Sequence, residues 1–469
     1  MAKTTSSAPG SIKALARWFG ATATDAIPAD AMEQAKLILL DTIGCGLAGV
    51  NEEVSHAVLA MLADFGGHER CTIIGRPRKV NMLDAVLANG CLVRVLDLND
   101  YIGGSAEGGG PEIGGHPSDN VPVALAVGEW QKGSGAEILA SIVLGYEVFG
   151  RLKSLMDPIG TWDEVTISGL VAPAMAARLL RLDETQFAHA LALGAARAAT
   201  PAIVRGGHIS AAKSIANALV AQSGVQGALL AAHGATGPLG VLDAGRSLHE
   251  LFTKGDVAAV LSEPLPQQPY ILRSNVKMYP CLATGQSAVA AALKLRAMVG
   301  SHERLQRIDV AMADYPIVRR QQQDPARIRP QSREAADHSF NFLVAVSLID
   351  GAFGLPQYEN ERWRDPEVVE LMERLTMTTD PSWSARAPGS YPCALRARDV
   401  EGKEYLAEIP YPPGFAHGRL DTATVIDKFN ALAHDYLPAP ARENVIAAAL
   451  DLDKAPSIAS LMEPLRPER

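Results

Sequence analysis

Apolar residues recur with helical spacing over the first half of the chain. Stretches of this kind cover residues 12–19, 28–49, 80–95, 120–131, 136–152, 168–182, 187–199 and 210–233. Successive stretches of this length, each with an apolar face to bury, predict packed helical hairpins. Asp30 is the predicted N-cap of the second helix, and Asp183 and Gln186 have the spacing of a capping box. Gly234 stands where a C-cap glycine is expected.

The pattern changes near residue 264, where prolines and glutamines interrupt the helices. Alternating stretches typical of strands follow at 307–313, 375–379, 394–398 and 404–409, with a hairpin turn at 399–402 and helices at 284–299 and 335–351. A second break at 410–414 leads back to helices over 423–461. The pattern predicts a mainly α fold, in which residues 1–268 and 411–469 form a large helical domain and residues 269–410 form an inserted, smaller α+β lid domain.

Composition narrows the possible partners. Of 469 residues, 52 are acidic and 43 basic, and the net charge of -9 disfavours binding to nucleic acid or to an anionic membrane. We find no apolar run that is long enough and free enough of charge and glycine to span a bilayer. Residues 1–21 are basic without an acidic residue, as in a transit peptide, but the apolar spacing at 12–19 favours a first helix. A cytoplasmic location is expected.

The cysteines support no disulfide scaffold and no iron–sulfur cluster, because they are scattered at Cys45, Cys71, Cys91, Cys281 and Cys393. The glycine-rich arm at residues 103–115 lacks the ending of a phosphate-binding loop, and no dinucleotide-binding or nucleophile-elbow motif occurs. The sequence therefore predicts no cofactor and no metal.

One stretch collects groups that can carry chemistry. Asp97, Asp100 and Tyr101 precede the glycine-rich arm, and His116 follows it, all in a non-helical connection. Such residues are typical of functional loops and also of inert turns, so the residue types leave both interpretations open.

Four further residues are candidates, and their residue types leave a functional and a structural interpretation open. Lys213, near the start of an apolar helix, is either a surface lysine lying along the fold or a fixed cation for a carboxylate. Lys277 precedes a predicted helix and could form an anion site with its N-terminus. Arg333 could pair with a residue one turn later on a plain surface helix, and His338 could be a core histidine. Together these acids, histidines and lysines suit proton abstraction next to a carboxylate.

The chain resembles the MmgE/PrpD family, and its 2-methylcitrate dehydratase branch best. The resemblance rests on segments 41–49, 96–100, 116–120, 145–148, 212–213, 277–280 and 336–339 with 350–351. It implies a helical domain with an α+β lid, a homodimer, and a cofactor-free site in the cleft between the domains. Two positions depart from the decarboxylase branch: Tyr101 replaces a threonine, and Asp163 stands where decarboxylases and epimerases tend to carry a histidine.

The resemblance implies Asp97, His116, Lys213 and Lys277 as catalytic residues. The residues implied in substrate binding are Asp100, Tyr101, Asp163, Arg333 and His338. The resulting hypothesis is a lyase that eliminates water from a tricarboxylate such as 2-methylcitrate. The two lysines would hold carboxylates, and His116, oriented by Asp97, would move the proton. The alternatives are a cis-aconitate decarboxylase or iminodisuccinate-type epimerase on the same fold, and a non-catalytic carboxylate-binding protein.

Overall fold

The computed structural model describes residues 10–65, 67–103, 114–156, 160–207, 209–243, 247–252, 254–387, 390–415 and 419–467. Most of the glycine-rich arm, residues 104–113, lies outside the described residues. The helices before residue 264 are α1 Ser11–Ala21, α2 Ala29–Ala48, α3 Glu53–Ala63, α4 Met82–Arg94, α5 Val121–Gln131, α6 Gly135–Leu155, α7 Ser168–Leu179, α8 Glu184–Ala195, α9 Ala212–Ala232 and α10 Val257–Ser262.

Polar side chains set several helix starts. Asn81 caps α4 and Ser134 caps α6 by accepting from backbone N–H groups of the first turn. The capping box of Asp183 and Gln186 is confirmed at the start of α8. The predicted cap Asp30 is wrong, because α2 begins one residue earlier, after Pro28, without a side-chain cap.

Helix α9 lies at the centre of the helical domain, packed against α4, α7 and α8. Close approach to α4 depends on Gly90, because a Cβ at that position would come within 2.8 Å of the Cβ of Ala218. By length and composition α9 could cross a membrane, contrary to the sequence-based expectation. Half of its most apolar window is buried inside the protein, and core helices pass the same test.

The strands are short outside one sheet. They are β1 Cys71–Thr72, β2 Lys79–Val80, β3 Tyr101–Ile102, β4 Ser274–Asn275, β5 Leu305–Met312, β6 Leu375–Thr379, β7 Cys393–Asp399 and β8 Glu404–Ile409. The larger sheet has the order β6-β5-β7-β8, in which β5 and β6 are parallel and the other neighbours antiparallel. Its inward face buries Leu395 and Ala397 while Arg396 and Arg398 are exposed, which is the period of two expected for a sheet covered on one side.

The helices around this sheet are α11 Gln286–Val299, α12 Pro316–Gln323, α13 Pro325–Ile328, α14 Arg333–Ala336, α15 Phe340–Asp350, α16 Pro366–Glu373 and α17 Ser382–Arg386. The helix predicted over 335–351 is therefore wrong in its first part. Ser339 starts a new helix by accepting from the N–H of Phe342. Asp337 and His338 fall in the break between α14 and α15.

The last helices are α18 Thr422–Ala433, α19 Ala439–Leu450 and α20 Ala459–Met462, and both α18 and α19 pack on α2. One large hydrophobic core therefore combines residues before Val276 with residues after Leu420, and a second core lies between Cys281 and Ala407. This confirms the predicted fold class, a large helical domain with a smaller sheet-containing domain. The domain limits at 269 and 410 stay a prediction.

Candidate active site

The loop after α4 carries the polar residues predicted to form the site. Asp97 has a left-handed backbone with φ of 49°, which a short polar side chain tolerates better than a bulky one. Its N–H donates to the carbonyl of Arg94 at 3.1 Å, and this tight turn brings the two side chains together. Nη1 of Arg94 donates to Oδ1 of Asp97 at 2.6 Å.

Three cations meet at the carboxylate of Asp97. Besides Arg94, Nζ of Lys213 lies 2.9 Å from Oδ2. Nζ of Lys277 donates to Oδ1 and, at 2.9 Å, to the main-chain carbonyl of Asp97. Burial by itself raises the pKa of Asp97, but the cations outweigh it and hold that pKa well below its ordinary value of 3.8. Asp97 is therefore ionised, and the cations around it are desolvated.

Lys213 links Asp97 to the second domain. Its Nζ lies 3.3 Å from both carboxylate oxygens of Asp337 and 3.4 Å from Nδ1 of His338. Nδ1 of His338 also contacts Oδ1 of Asp337, which favours the proton on Nδ1 and leaves Nε2 as an acceptor. Burial and the charge of Lys213 lower the pKa of His338 to about 4, so its ring is neutral near pH 7. Because Lys213 is buried, its interpretation as a surface lysine is wrong.

His116 is oriented by the main chain rather than by Asp97. Its Nδ1 lies 2.5 Å from the carbonyl oxygen of Asp100, and a carbonyl only accepts, so Nδ1 carries the proton. Nε2 is then an acceptor, and it lies 3.9 Å from Oδ1 of Asp97, beyond hydrogen-bond distance. Burial, followed by the charges of Arg94 and Lys277, lowers the pKa of His116 well below its ordinary value of 6.5. The ring is a neutral base with Nε2 towards the cluster.

Asp100 and Tyr101 are buried beside this histidine. Asp100 accepts from the hydroxyl of Tyr146 at 2.8 Å and from the N–H of Ser118 at 3.3 Å. Burial raises the pKa of Asp100 from 3.8 to about 7, because these two donors do not replace the lost hydration. Tyr101 lies in β3, paired with β4, and its ring centroid is 5.9 Å from that of Tyr391. Contact of Asp100 and Tyr101 with a substrate stays a prediction.

Asp163 lies at a surface pocket next to the cluster. It accepts from Nε of Arg205 at 2.7 Å and from the N–H of Val165 at 3.0 Å. The pocket has a volume of about 500 Å³, and its lining includes Lys153, Trp162, Asp163, Glu164, Arg205 and Arg320. A Cβ on Gly115 would come within 3.1 Å of Oε2 of Glu164. The wall of the pocket therefore adjoins the residue before His116.

Arg333 supports the cluster from the second domain. Its Nη1 donates to the carbonyl of Val95 at 3.1 Å and lies 3.5 Å from Oδ2 of Asp337, the predicted pair one turn apart. Its Nε lies 3.2 Å from Glu52. These contacts hold the loop and Asp337, and a role of Arg333 in substrate binding stays a prediction.

Sequence reasoning missed Arg94 and Lys428. Arg94 ends a stretch of otherwise apolar character, and its only signal was the spacing of three residues to Asp97. Lys428 comes from α18, where its Nζ lies 2.6 Å from the buried Asp41 and donates to the carbonyl of Leu98 at 2.9 Å. The tail of the chain thus supports the loop that carries Asp97, a contact without any local sequence signal.

One group of side chains has the spacing of a metal site. Ligand atoms of Asp97, Asp337 and His338 lie within 4.8 Å of one another. The ammonium of Lys213 already lies between them, 2.9 Å from Asp97 and 3.3 Å from Asp337. A divalent ion would have to displace this cation next to two further positive charges, so these residues do not fit a resident metal.

The fold and the site together define a two-domain protein with a buried cluster of carboxylates, cations and neutral imidazoles where the domains meet. Comparison with known families agrees with that class. A model of the MmgE/PrpD N-terminal domain matches residues 13–260, and one of the MmgE/PrpD C-terminal domain matches residues 279–454. The chain belongs to the MmgE/PrpD family.

Curated relatives carry two different activities in their names. A cis-aconitate decarboxylase-like protein oryM from Aspergillus oryzae is 25% identical, with 98% of each chain covered. A cis-aconitate decarboxylase from Mus musculus is 27% identical over 75% of this chain and 72% of its own. A 2-methylcitrate dehydratase from Cupriavidus necator is 25% identical, with 90% of each chain covered.

Proposed function

We propose that this protein is a lyase that eliminates water from a tricarboxylate such as 2-methylcitrate. The observation that carries the proposal is the neutral imidazole of His116, whose Nε2 faces a carboxylate held by cations. Relatives named 2-methylcitrate dehydratase support it at the level of the family.

In the proposed reaction, Nε2 of His116 removes a proton from the carbon next to a substrate carboxylate. The electron pair of the broken C–H bond forms the C=C bond, and the neighbouring C–O bond breaks. Lys277 supplies the proton with which the hydroxyl leaves as water. Its buried ammonium suits this role, because desolvation lowers the pKa of Lys277 from its ordinary 10.5. General acid–base catalysis of this kind contributes about 10²–10⁴-fold.

Positive charge around His116 favours an anionic substrate. The charges of Arg94 and Lys277 act more strongly on this ring than the negative charge of Asp97 does. In a water-excluded site such charges stabilise the negative charge that develops on the carboxylate after proton removal.

Decarboxylation of cis-aconitate is the second candidate. It is favoured by the relatives named cis-aconitate decarboxylase, which are 22–27% identical and therefore as similar as the dehydratases at 25%. Both reactions begin with recognition of a tricarboxylate, so the charges of the site do not separate them.

Product analysis by NMR separates the candidates. We would incubate the protein with 2-methylcitrate, citrate, cis-aconitate and iminodisuccinate. A new C=C bond from 2-methylcitrate or citrate is the expected result. Itaconate with carbon dioxide would assign decarboxylation instead, and simple inversion an epimerase. Binding of these acids without any product would assign a carboxylate-binding protein.

Two variants and a control complete this experiment. His116→Gln and Lys277→Met should abolish turnover while the protein stays folded. His233→Gln changes an exposed histidine at the far end of α9 from Lys213, and it should retain wild-type turnover. Wild-type activity in either site variant would reject the assigned roles.

A further inference from the structure

Arg94 has hydrogen-bond donors that its neighbours leave unused. Only 1% of its side chain is exposed, and Nη1 is taken by Asp97. Nε forms an ion pair at 3.5 Å with Oδ2 of Asp119 but, like Nη2, makes no hydrogen bond to the described residues. Buried donors are normally paired, and an unpaired one on a charged group is costly, so this guanidinium needs a partner that is not part of the described chain.

The two lysines of the cluster differ from Arg94 in this respect. The ammonium of Lys213 donates to Oδ2 of Asp97 and to both carboxylate oxygens of Asp337. Nζ of Lys277 makes two hydrogen bonds to Asp97, one to its main-chain carbonyl and one to Oδ1. Lys213 therefore balances the buried carboxylates of the protein, and it has little capacity left for a ligand.

Arg94 lies close to the imidazole of His116. Its Nη1 donates at 2.6 Å to Oδ1 of Asp97, the same oxygen that lies 3.9 Å from Nε2 of His116. Its Nε lies 3.5 Å from Oδ2 of Asp119, whose N–H donates to the carbonyl of His116 at 3.1 Å. Arg94 and the imidazole of His116 therefore face the same carboxylate.

We propose that Arg94 binds one carboxylate of the substrate through Nη2 and Nε, and that this contact, rather than one to Lys213, places the substrate against His116. The inference rests on the proposed function and deepens it by naming the residue that recognises the substrate class. A planar guanidinium with two N–H groups that make no hydrogen bond to the described residues matches the two oxygens of a carboxylate, and such paired contacts are strong and directional.

The test uses tricarballylate, a tricarboxylate without a hydroxyl, which cannot lose water. Calorimetry would give its dissociation constant for the wild type and for Arg94→Lys and Arg94→Gln. A charge-assisted hydrogen bond predicts that Arg94→Gln weakens binding by about 10-fold to 100-fold. The dissociation constant of Arg94→Lys should lie between those of the wild type and Arg94→Gln, because lysine keeps the positive charge but lacks the two parallel N–H donors of a guanidinium. Arg178→Gln, which removes a half-buried arginine from α7, is the control and should bind as the wild type does.

Two smaller ligands separate a direct contact from a general disturbance of the site. Glutarate lacks the central carboxylate of tricarballylate, and methylsuccinate lacks a terminal one. If Arg94 contacts one carboxylate, Arg94→Gln weakens the binding of tricarballylate and of one of the two smaller ligands. The dissociation constant of the other smaller ligand then stays nearly unchanged. An equal loss of affinity for all three ligands in Arg94→Gln would overturn the inference, and so would no loss of affinity for any of them. A wild type that does not bind tricarballylate would overturn it as well.

This measurement does not depend on turnover. Failure of the proposed function would appear in the product analysis as the absence of a dehydrated product. Failure of the inference would appear as binding that is indifferent to Arg94.

Discussion

Oδ2 of Asp97 and Nζ of Lys213 lie 2.9 Å apart, and both side chains are buried. This pair joins a loop of the helical domain to the first turn of its central helix, and through Asp337 it reaches the second domain. The stability of the protein and the order of its site therefore depend on the same carboxylate.

Replacing Asp97 by Asn should destabilise the protein and abolish turnover. The change leaves desolvated cations without their counter-charge, and breaking a buried pair in this way costs about 3–5 kcal/mol. Urea denaturation would measure the loss. Asp435→Asn is the control, since that carboxylate is 86% exposed and its removal should change the free energy of unfolding by less than about 0.5 kcal/mol. An equal, small effect of both changes would contradict the central role of Asp97.

Asp100 should make the protein less stable as the pH rises. Its pKa is about 7 in the folded protein and 3.8 ordinarily, so its contribution is fully present below 3.8 and is lost as the pH rises through 7. The loss amounts to about 1.4 kcal/mol for each pH unit between these values. Urea denaturation at about pH 5 and pH 8 should show a smaller decrease for Asp100→Asn than for the wild type. The same decrease in both would mean that Asp100 is ionised throughout.

The acidic limb of the pH profile of kcat/KM should reflect the protonation of His116. Its lowered pKa predicts that activity persists below pH 6.5, until Nε2 becomes protonated. In Arg94→Lys the positive charge remains, and the limb should stay close to its wild-type position. In Arg94→Gln the charge is lost, and the limb should move to higher pH because a nearby cation no longer opposes protonation. A limb that stays in place in Arg94→Gln would separate Arg94 from the titrating base.

Lys428 should act as a positioning residue for the loop that carries Asp97. Lys428→Met removes the donor to the carbonyl of Leu98 and leaves Asp41 buried without its cation, at a cost of about 3–5 kcal/mol. Adding Asp41→Asn should recover most of this stability, because a neutral amide replaces the unpaired charge. Turnover should remain reduced in the double variant, mainly in kcat. Full recovery of both stability and kcat would make Lys428 purely structural.

The start of α15 differs from the start that its sequence pattern predicts. The apolar residues at 340–348 predicted a helix there, and the structure contains one. The helix was extended wrongly through Asp337 and His338, because both residue types tolerate a helix. In the structure Ser339 caps the new helix, and Asp337 and His338 in the break contact Lys213 and Asp97, which lie far away in the chain.

Local signals were sufficient for much of the fold. Apolar periodicity, the capping box at Asp183 and the turn before Lys403 act between neighbours in the chain, and they predicted most elements and the two-part architecture. The residue types around Asp97 and His116 left a functional loop and an inert turn both open, and the resemblance to a family made these two residues candidates. Tertiary structure decided which charges meet. It showed Lys213 to be buried and paired, placed Arg94 beside His116, and brought Lys428 from the tail to the loop. These relationships depend on distances between residues far apart in sequence and on the removal of water around them. A local sequence pattern predicts neither of these.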